Sequence, residues 1–461
     1  MLIEDPVRFA TAAGLLLAYT GLCAHSWKRA RLARGSPLAA GPQHASHNAR
    51  DLRPTLVAFA SQTGFAEELA EQAASVLREG DLPVRIAPLG RLTIEDLHAC
   101  SQLVVVASTC REGDAPDNAQ AFVDRVMDRP APLAGLRYTL LALGDRSYAE
   151  FCAFGRRLDT WLQRSGASEF APRIEVDAAN ETALCAWRHR LAGIAQVDAS
   201  DAIPSAPWGR WQLKSRRHLN PGSAGAPVFE VVLATKDDSD LSGKPLWQAG
   251  DLLQLRAEGP DDQPRSYSIA SLPEDGAVHL LVRLQHGADG HPGLMSGLLT
   301  GLAPVGSELA GRIRANGNFR LGENATRPLI LIGNGTGLAG LMAHLRQRDR
   351  QGDGRNWLVF GERNAAHDDF FAAELNDLEA RDRLARCDRV FSRDSPGEYV
   401  QHRLERAAPT LCDWIDDGAA IYLCGNAVGM APGVEQTLEK ILGPGAVARL
   451  LAEGRLRRDV Y

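Results

Sequence analysis

The strongest constraint on this chain is a rhythm of unbroken apolar runs, each closed by a small-residue loop and followed by a helix-period segment. TLVAFAS (55–61), LVVVAST (103–109) and YTLLALGD (138–145) are such runs, with helical patterns in AEELAEQAASVLREG (66–80) and NAQAFVDRVMD (118–128). A strand that is apolar at every position must be covered on both faces, which a parallel sheet flanked by helices provides. The rhythm returns in PLILIGNGTG (328–337), NWLVFGE (356–362) and AAIYLCGNA (419–427). Between the two stretches lie FEVVLA (229–234), DLLQLRA (251–257), RSYSIA (265–270) and VHLLVRLQ (278–285), short strands separated by turn residues that predict an antiparallel barrel. The expected fold class is α/β multidomain: a doubly wound sheet, a β-barrel, then a second α/β domain.

Length agrees, since 461 residues exceed one ordinary core and suggest roughly three domains. A hydrophobic share of 45% rules out wholesale disorder, and a net charge of -6 disfavours a nucleic-acid partner. The 8 cysteines form no CxxC and no zinc-like cluster, so no metal site is expected and a disulfide-built secreted protein is excluded.

Residues 9–27 carry no charged side chain, Glu4 and Asp5 precede them, and Lys28, Arg29, Arg31 and Arg34 follow. This pattern predicts an uncleaved single-pass transmembrane helix in the cytoplasmic membrane, N-terminus outside and the remaining domains cytoplasmic. A cleavable signal would carry its basic charge first. An apolar helix packed on the protein itself is the alternative. The expected division is an anchor at 1–34, a linker at 35–53, a domain at 54–197, a linker at 198–207, and domains at 208–325 and 326–461.

In parallel sheets ligands sit at the carboxyl ends of the strands. The first such loop, Ser61, Gln62, Thr63, Gly64, Phe65 and Ala66, offers hydroxyls and open backbone at a helix N-terminus, which suits a phosphate. A plain strand–helix turn reads the same. The second supplies Ser108, Thr109, Cys110, Gly113 and Asp114, with Asp117 and Asn118 behind them. The third supplies Leu143, Gly144, Asp145, Tyr148, Phe151 and Cys152, with Tyr148 available to stack on a flat heterocycle.

Together these loops resemble the FMN-binding flavodoxin-like domain of diflavin reductases. LGDRSYAEFCAFGRRLD and Asp177 followed by Trp187 are most similar to the sulfite reductase flavoprotein branch. The resemblance implies that the three loops and Asp177 bind FMN. Phe65 stands where the family has a phosphate-binding Thr or Ser, and Cys110 and Arg111 replace a Tyr-Gly pair whose Tyr stacks on the ring. These departures predict weaker FMN binding or a shifted potential.

RSYSIAS (265–271) resembles the flavin motif of the ferredoxin-NADP reductase superfamily. The likeness implies FAD binding by Arg265, Ser266, Tyr267 and Ser268, by the turn Gly293, Leu294, Met295 and Ser296, and by Tyr461 covering the ring. GNGTGLAG (333–340) resembles the NADP-binding turn of the same reductases, implying roles for Gly335, Thr336 and Gly337. Gly340 replaces the usual Pro. Ser392, Arg393, Tyr399 and Gln401 of VFSRDSPGEYVQ fit the 2′-phosphate site, though Gly397 replaces a Lys, and Cys424 and Met430 of IYLCGNAVGMA complete the NADP set. The resemblance further implies a hydride path lined by Ser268, Cys424 and Asp459, with Tyr461 displaced by nicotinamide.

The likeness spans residues 54–461, but the helical connecting domain that normally precedes the RxYS motif is missing. It implies an NADPH-dependent diflavin reductase carrying FAD, FMN and NADPH, and passing electrons to a haem, sirohaem or iron acceptor protein at the membrane. A ferric-complex or quinone reductase with a membrane partner is an alternative within that class. A non-enzymatic electron-carrier or docking module with a decayed FMN site is the alternative outside it.

Overall fold

The computed structural model describes residues 53–110, 113–146, 149–177, 180–198, 208–235, 246–257, 264–287 and 289–461, and residues from Leu52 to Tyr461 form one compact unit. The expected anchor at 1–34, the linker at 35–52, residues 199–207, Arg111 and Tyr148 lie outside the described residues.

The first sheet contains β1 (Thr55–Ala60), β2 (Val84–Pro88), β3 (Gln102–Ser108), β4 (Arg137–Gly144), β5 (Ser168–Glu169) and β6 (Ile174–Asp177). All pairings are parallel, in the order β2-β1-β3-β4-β5, with β6 also on β4. Every residue of β1 is buried because successive side chains enter two different cores. Leu56 and Ala58 join Val105, Leu140 and Phe154 on one face. Val57 and Phe59 join Leu69, Ala73 and Trp187 on the other. This is the parallel sheet covered on both faces that the apolar runs predict, in the flavodoxin-like doubly wound form that the resemblance of the loops implies.

The second sheet contains β7 (Gly209–His218), β8 (Val228–Thr235), β9 (Leu252–Arg256), β10 (Arg265–Ser268), β11 (Val278–Arg283) and β12 (Glu308–Arg314). Its pairings are antiparallel in the order β10-β9-β12-β7-β8-β11. A bridge between Ile269 and Leu280 joins the two end strands and closes a barrel, filled by Leu213, Val231, Leu233, Leu253 and Leu255. β9 and β10 pair directly, Leu255 opposite Arg265, so no domain separates them.

The third sheet contains β13 (Leu329–Asn334), β14 (Asn356–Glu362), β15 (Arg386–Phe391), β16 (Ala420–Gly425) and β17 (Leu456–Val460). It is parallel, ordered β15-β14-β13-β16-β17. The order reverses between β13 and β16, which opens a ligand crevice at their carboxyl ends.

The membrane expectation is corrected. Among the described residues no helix is long and apolar enough to cross a membrane. The cytoplasmic-membrane location with its outside N-terminus and the placement of the acceptor at a membrane are withdrawn, and the single-pass anchor expected at 1–34 lies outside the described residues.

Candidate active site

Three residues far apart in sequence meet where the barrel touches the third sheet. Ser268 ends β10, while Cys424 and Asp459 are register partners on β16 and β17. Ser268 Oγ donates to Asp459 Oδ2 at 2.7 Å, and Cys424 Sγ donates to the same oxygen at 3.7 Å. All three are buried, Asp459 at 2% exposure. Burial pushes the Asp459 carboxyl above its ordinary value, opposed by the hydrogen bonds from Ser268 and Cys424 and by the charge of Arg314. Burial and the neighbouring Asp459 charge push the Cys424 thiol up as well, so it stays protonated and is no nucleophile. Gly340, in the first turn of the helix Leu338–Gln351, lets that helix approach the trio. A Cβ there would stand 3.3 Å from Cys424 Sγ and 3.2 Å from the Phe319 ring.

The chain end lies over this site. Tyr461 N donates to Gly425 O at 2.9 Å, and Ala427 N donates to Tyr461 O at 3.0 Å. The Tyr461 hydroxyl lies 3.1 Å from Thr336 Oγ1, and the residue is 55% exposed. Thr336 belongs to the single turn Gly335–Gly337 between β13 and the helix that follows.

On the rim beyond β14 and β15, Ser392 N donates to Glu362 O and Arg393 N to Arg363 O, both at 2.8 Å. The Arg393 side chain is exposed, and Tyr399, 50% exposed, precedes the helix Val400–Arg406. Gln401 lies against Gly433 of the helix Met430–Leu442, whose first residue, Met430, is buried. On the barrel, Ser296 Oγ donates to Gly293 O at 3.1 Å and accepts from Gln285 N at 3.2 Å, which fixes the turn ahead of Leu294 and Met295.

The three flavodoxin loops open into a cavity of about 860 Å³. Gln62, Thr63, Phe65, Ser108, Thr109, Cys110, Asp114, Leu143, Gly144, Asp145 and Cys152 line it, and so do Arg265, Ser266 and Tyr461. Residues expected at two different flavins thus face one space. Tyr267 sits behind, packed on the barrel core. Ser61, Ala66 and Asn118 form the back of the first loop, where Ser61 N donates to Asn118 Oδ1 at 2.8 Å. Gly113 turns the second loop with φ 98°. Phe151 is buried with the Arg146 guanidinium 4.5 Å from its ring centre. Asp177 accepts from Arg146 N at 3.0 Å. Neither Phe151 nor Asp177 lines the cavity.

Several residues around this cavity were not singled out by sequence pattern. Arg458 Nε donates to Asp117 Oδ2 at 2.7 Å and also pairs with Glu435. Gln62 Nε2 donates to Asp117 Oδ2 at 2.8 Å. Arg314 Nη2 donates to Thr63 Oγ1 at 3.0 Å, and Asn318 Nδ2 donates to Gln62 O at 3.2 Å. Gly64, at φ 85°, is pressed so closely by the barrel that a Cβ would overlap the Ala315 carbonyl oxygen. The one available signal was the position of Arg458 beside Asp459; nothing in a strand-end arginine marks Arg314.

The donor set fits flavin and dinucleotide groups. Ser61 Oγ, Asn118 Nδ2 and Arg314 Nε, in and against the first loop, are buried without hydrogen-bond partners, and as donors they fit an anion. Arg265 is exposed at the cavity edge, free to meet a pyrophosphate. Among the described residues no group of His, Cys, Asp or Glu could hold a metal ion.

Comparison with known proteins agrees with this geometry. Residues 57–187 match the flavodoxin family and residues 331–436 match the oxidoreductase NAD-binding domain. The chain has a diflavin reductase-like architecture, with both domains on one polypeptide. Its relatives include the sulfite reductase (NADPH) flavoprotein alpha-component of Vibrio parahaemolyticus, 28% identical over 87% of this chain and 83% of the relative. The protein of the same name from Klebsiella pneumoniae is 29% identical over 88% and 90%. That from Bacillus subtilis is 26% identical over 94% and 93%.

Proposed function

We propose that this chain is an NADPH-dependent diflavin reductase that passes electrons from NADPH through FAD and FMN to a haem- or sirohaem-bearing acceptor protein. The observation that carries the reading is the single cavity in which the flavodoxin loops meet Arg265, Ser266 and Tyr461. The domains divide the work as FMN binding in 54–197, FAD binding in 208–325 and NADP binding in 326–461.

Bound FAD would supply two-electron hydride chemistry and bound FMN one-electron chemistry. The protein supplies position and charge. Arg265 and the turn at Gly293–Ser296 hold a pyrophosphate, and the turn Gly335–Gly337 holds another at the start of the helix behind it. Arg393, with Ser392, Tyr399 and Gln401, faces a 2′-phosphate on the open rim beyond β15, where a guanidinium fork suits a dianion. Tyr461, lining the cavity beside Arg265 and Ser266, would cover a flavin ring there and would give way to nicotinamide. Ser268 and Cys424 keep their protons directed at Asp459 Oδ2, so this carboxylate is held still to orient the nicotinamide and steady the charge of transfer.

The test is the flavin content of the purified protein, with its NADPH-driven reduction of a haem protein. One FAD and one FMN per chain are expected. Recovery of FAD alone, with FMN added in excess and still not retained, would end the two-flavin reading.

A further inference from the structure

Arg314 ends β12 of the barrel, yet its guanidinium lies in the first flavodoxin loop. Nη2 donates to Thr63 Oγ1 at 3.0 Å, and the group sits 4.8 Å from the centre of the Phe65 ring. The residue is 8% exposed and lines the shared cavity. Its Nε has no hydrogen-bond partner, and the carboxylates that act on it, Glu68 and Asp459, form no ion pair with it among the described residues. Burial lowers its pKa only to about 10, so it stays charged near neutral pH.

The loop that Arg314 reaches carries further unpartnered groups. Ser61 Oγ and Asn118 Nδ2 lack partners. The helix Phe65–Glu79 starts at Gly64 without a side-chain cap, leaving its first amides and the positive end of its dipole at this spot. A buried guanidinium with no counter-charge is costly unless an anion completes it. The residue at 65 makes sense in this light. The family hydroxyl is replaced by a ring, and the ring seats the arginine.

We propose that Arg314 is a ligand of the FMN 5′-phosphate, supplied across the lobe boundary by the barrel, so that phosphate binding and docking of the two lobes are one event. The inference rests on the two-flavin reading and extends it. Arg314 takes over what the hydroxyl at position 65 would do, and the barrel contact takes over part of what a connecting domain would do.

The test uses the full-length protein, stripped of FMN and titrated with FMN and with riboflavin, which lacks the phosphate. Flavin fluorescence is followed in wild type, R314Q and R314K. In R314Q, FMN affinity is expected to fall about 10- to 100-fold, the range for losing a charge-assisted hydrogen bond, with riboflavin affinity held. R314K should recover part of the loss. In wild type, inorganic phosphate should compete with FMN and not with riboflavin, a result that needs no variant to fold. An unchanged FMN affinity in R314Q, an equal loss for both flavins, or no competition by phosphate would overturn the assignment of Arg314 and leave the two-flavin reading intact. A wild-type chain that binds neither flavin would overturn both.

Discussion

Arg458 forms a two-pronged ion pair with Asp117, 341 positions earlier in the chain. The pair joins β17 of the third sheet to the first turn of the helix Asp117–Arg125 in the flavodoxin lobe. Its side chains are 9% and 15% exposed, so salt screens it far less than a surface pair. With no domain between β9 and β10 to hold the lobes, this pair and the contacts of Arg314 and Asn318 join the flavodoxin loops to the rest of the molecule.

Asp117→Asn removes the charge from one side and leaves Arg458 with Glu435. Docking should weaken by about 1–3 kcal/mol, as for hydrogen bonds to charged groups, and the radius of gyration from small-angle scattering should rise. Gly64→Ala should do the same through overlap with the Ala315 carbonyl. Scattering profiles identical to wild type for both variants would show that the lobes are held elsewhere.

The hydride site gives a second expectation. Asp459→Ala leaves Ser268 Oγ and Cys424 Sγ without their common acceptor. FAD reduction by NADPH should slow by about 10- to 1000-fold, the range for losing one electrostatic or proton-transfer group. Tyr461→Ala should instead tighten nicotinamide binding and relax the preference for NADPH over NADH. Stopped-flow reduction measures both. Wild-type rates in the first variant, with unchanged coenzyme preference in the second, would place the tail away from the flavin.

A third concerns acid stability. His344 is fully buried between the rings of Phe319 and Tyr422, and burial drives its pKa from 6.5 down to about 3. The unfolded chain therefore takes up a proton that the folded chain refuses. Stability is full above pH 6.5 and is lost as pH falls through the folded value, at about 1.4 kcal/mol per pH unit. His344→Leu removes this slope. Between pH 7 and 5 the wild type should lose about 2 kcal/mol more than the variant in urea unfolding. Parallel losses would mean that His344 is not the group that titrates.

Much of this molecule is legible in its sequence. Unbroken apolar runs at 55–60, 103–107 and 138–143 have no stable home except a sheet covered on both faces, and all three became central strands of one. Ser268, Cys424 and Asp459 were each found from short motifs, and they meet at one carboxylate oxygen.

What lay beyond the sequence is how the lobes meet. Periodicity and motifs report what a segment does within its own sheet, where neighbours are fixed by the strand and helix repeats. Arg314 and Arg458 are ordinary strand residues by that measure. Their roles depend on which surface of another lobe faces them, and on the exclusion of water that turns an ordinary surface charge into a buried cation facing Thr63 and Phe65, or Asp117. Coulomb attraction and desolvation grow strong only once packing has lowered the local dielectric, and that packing exists only in the folded chain.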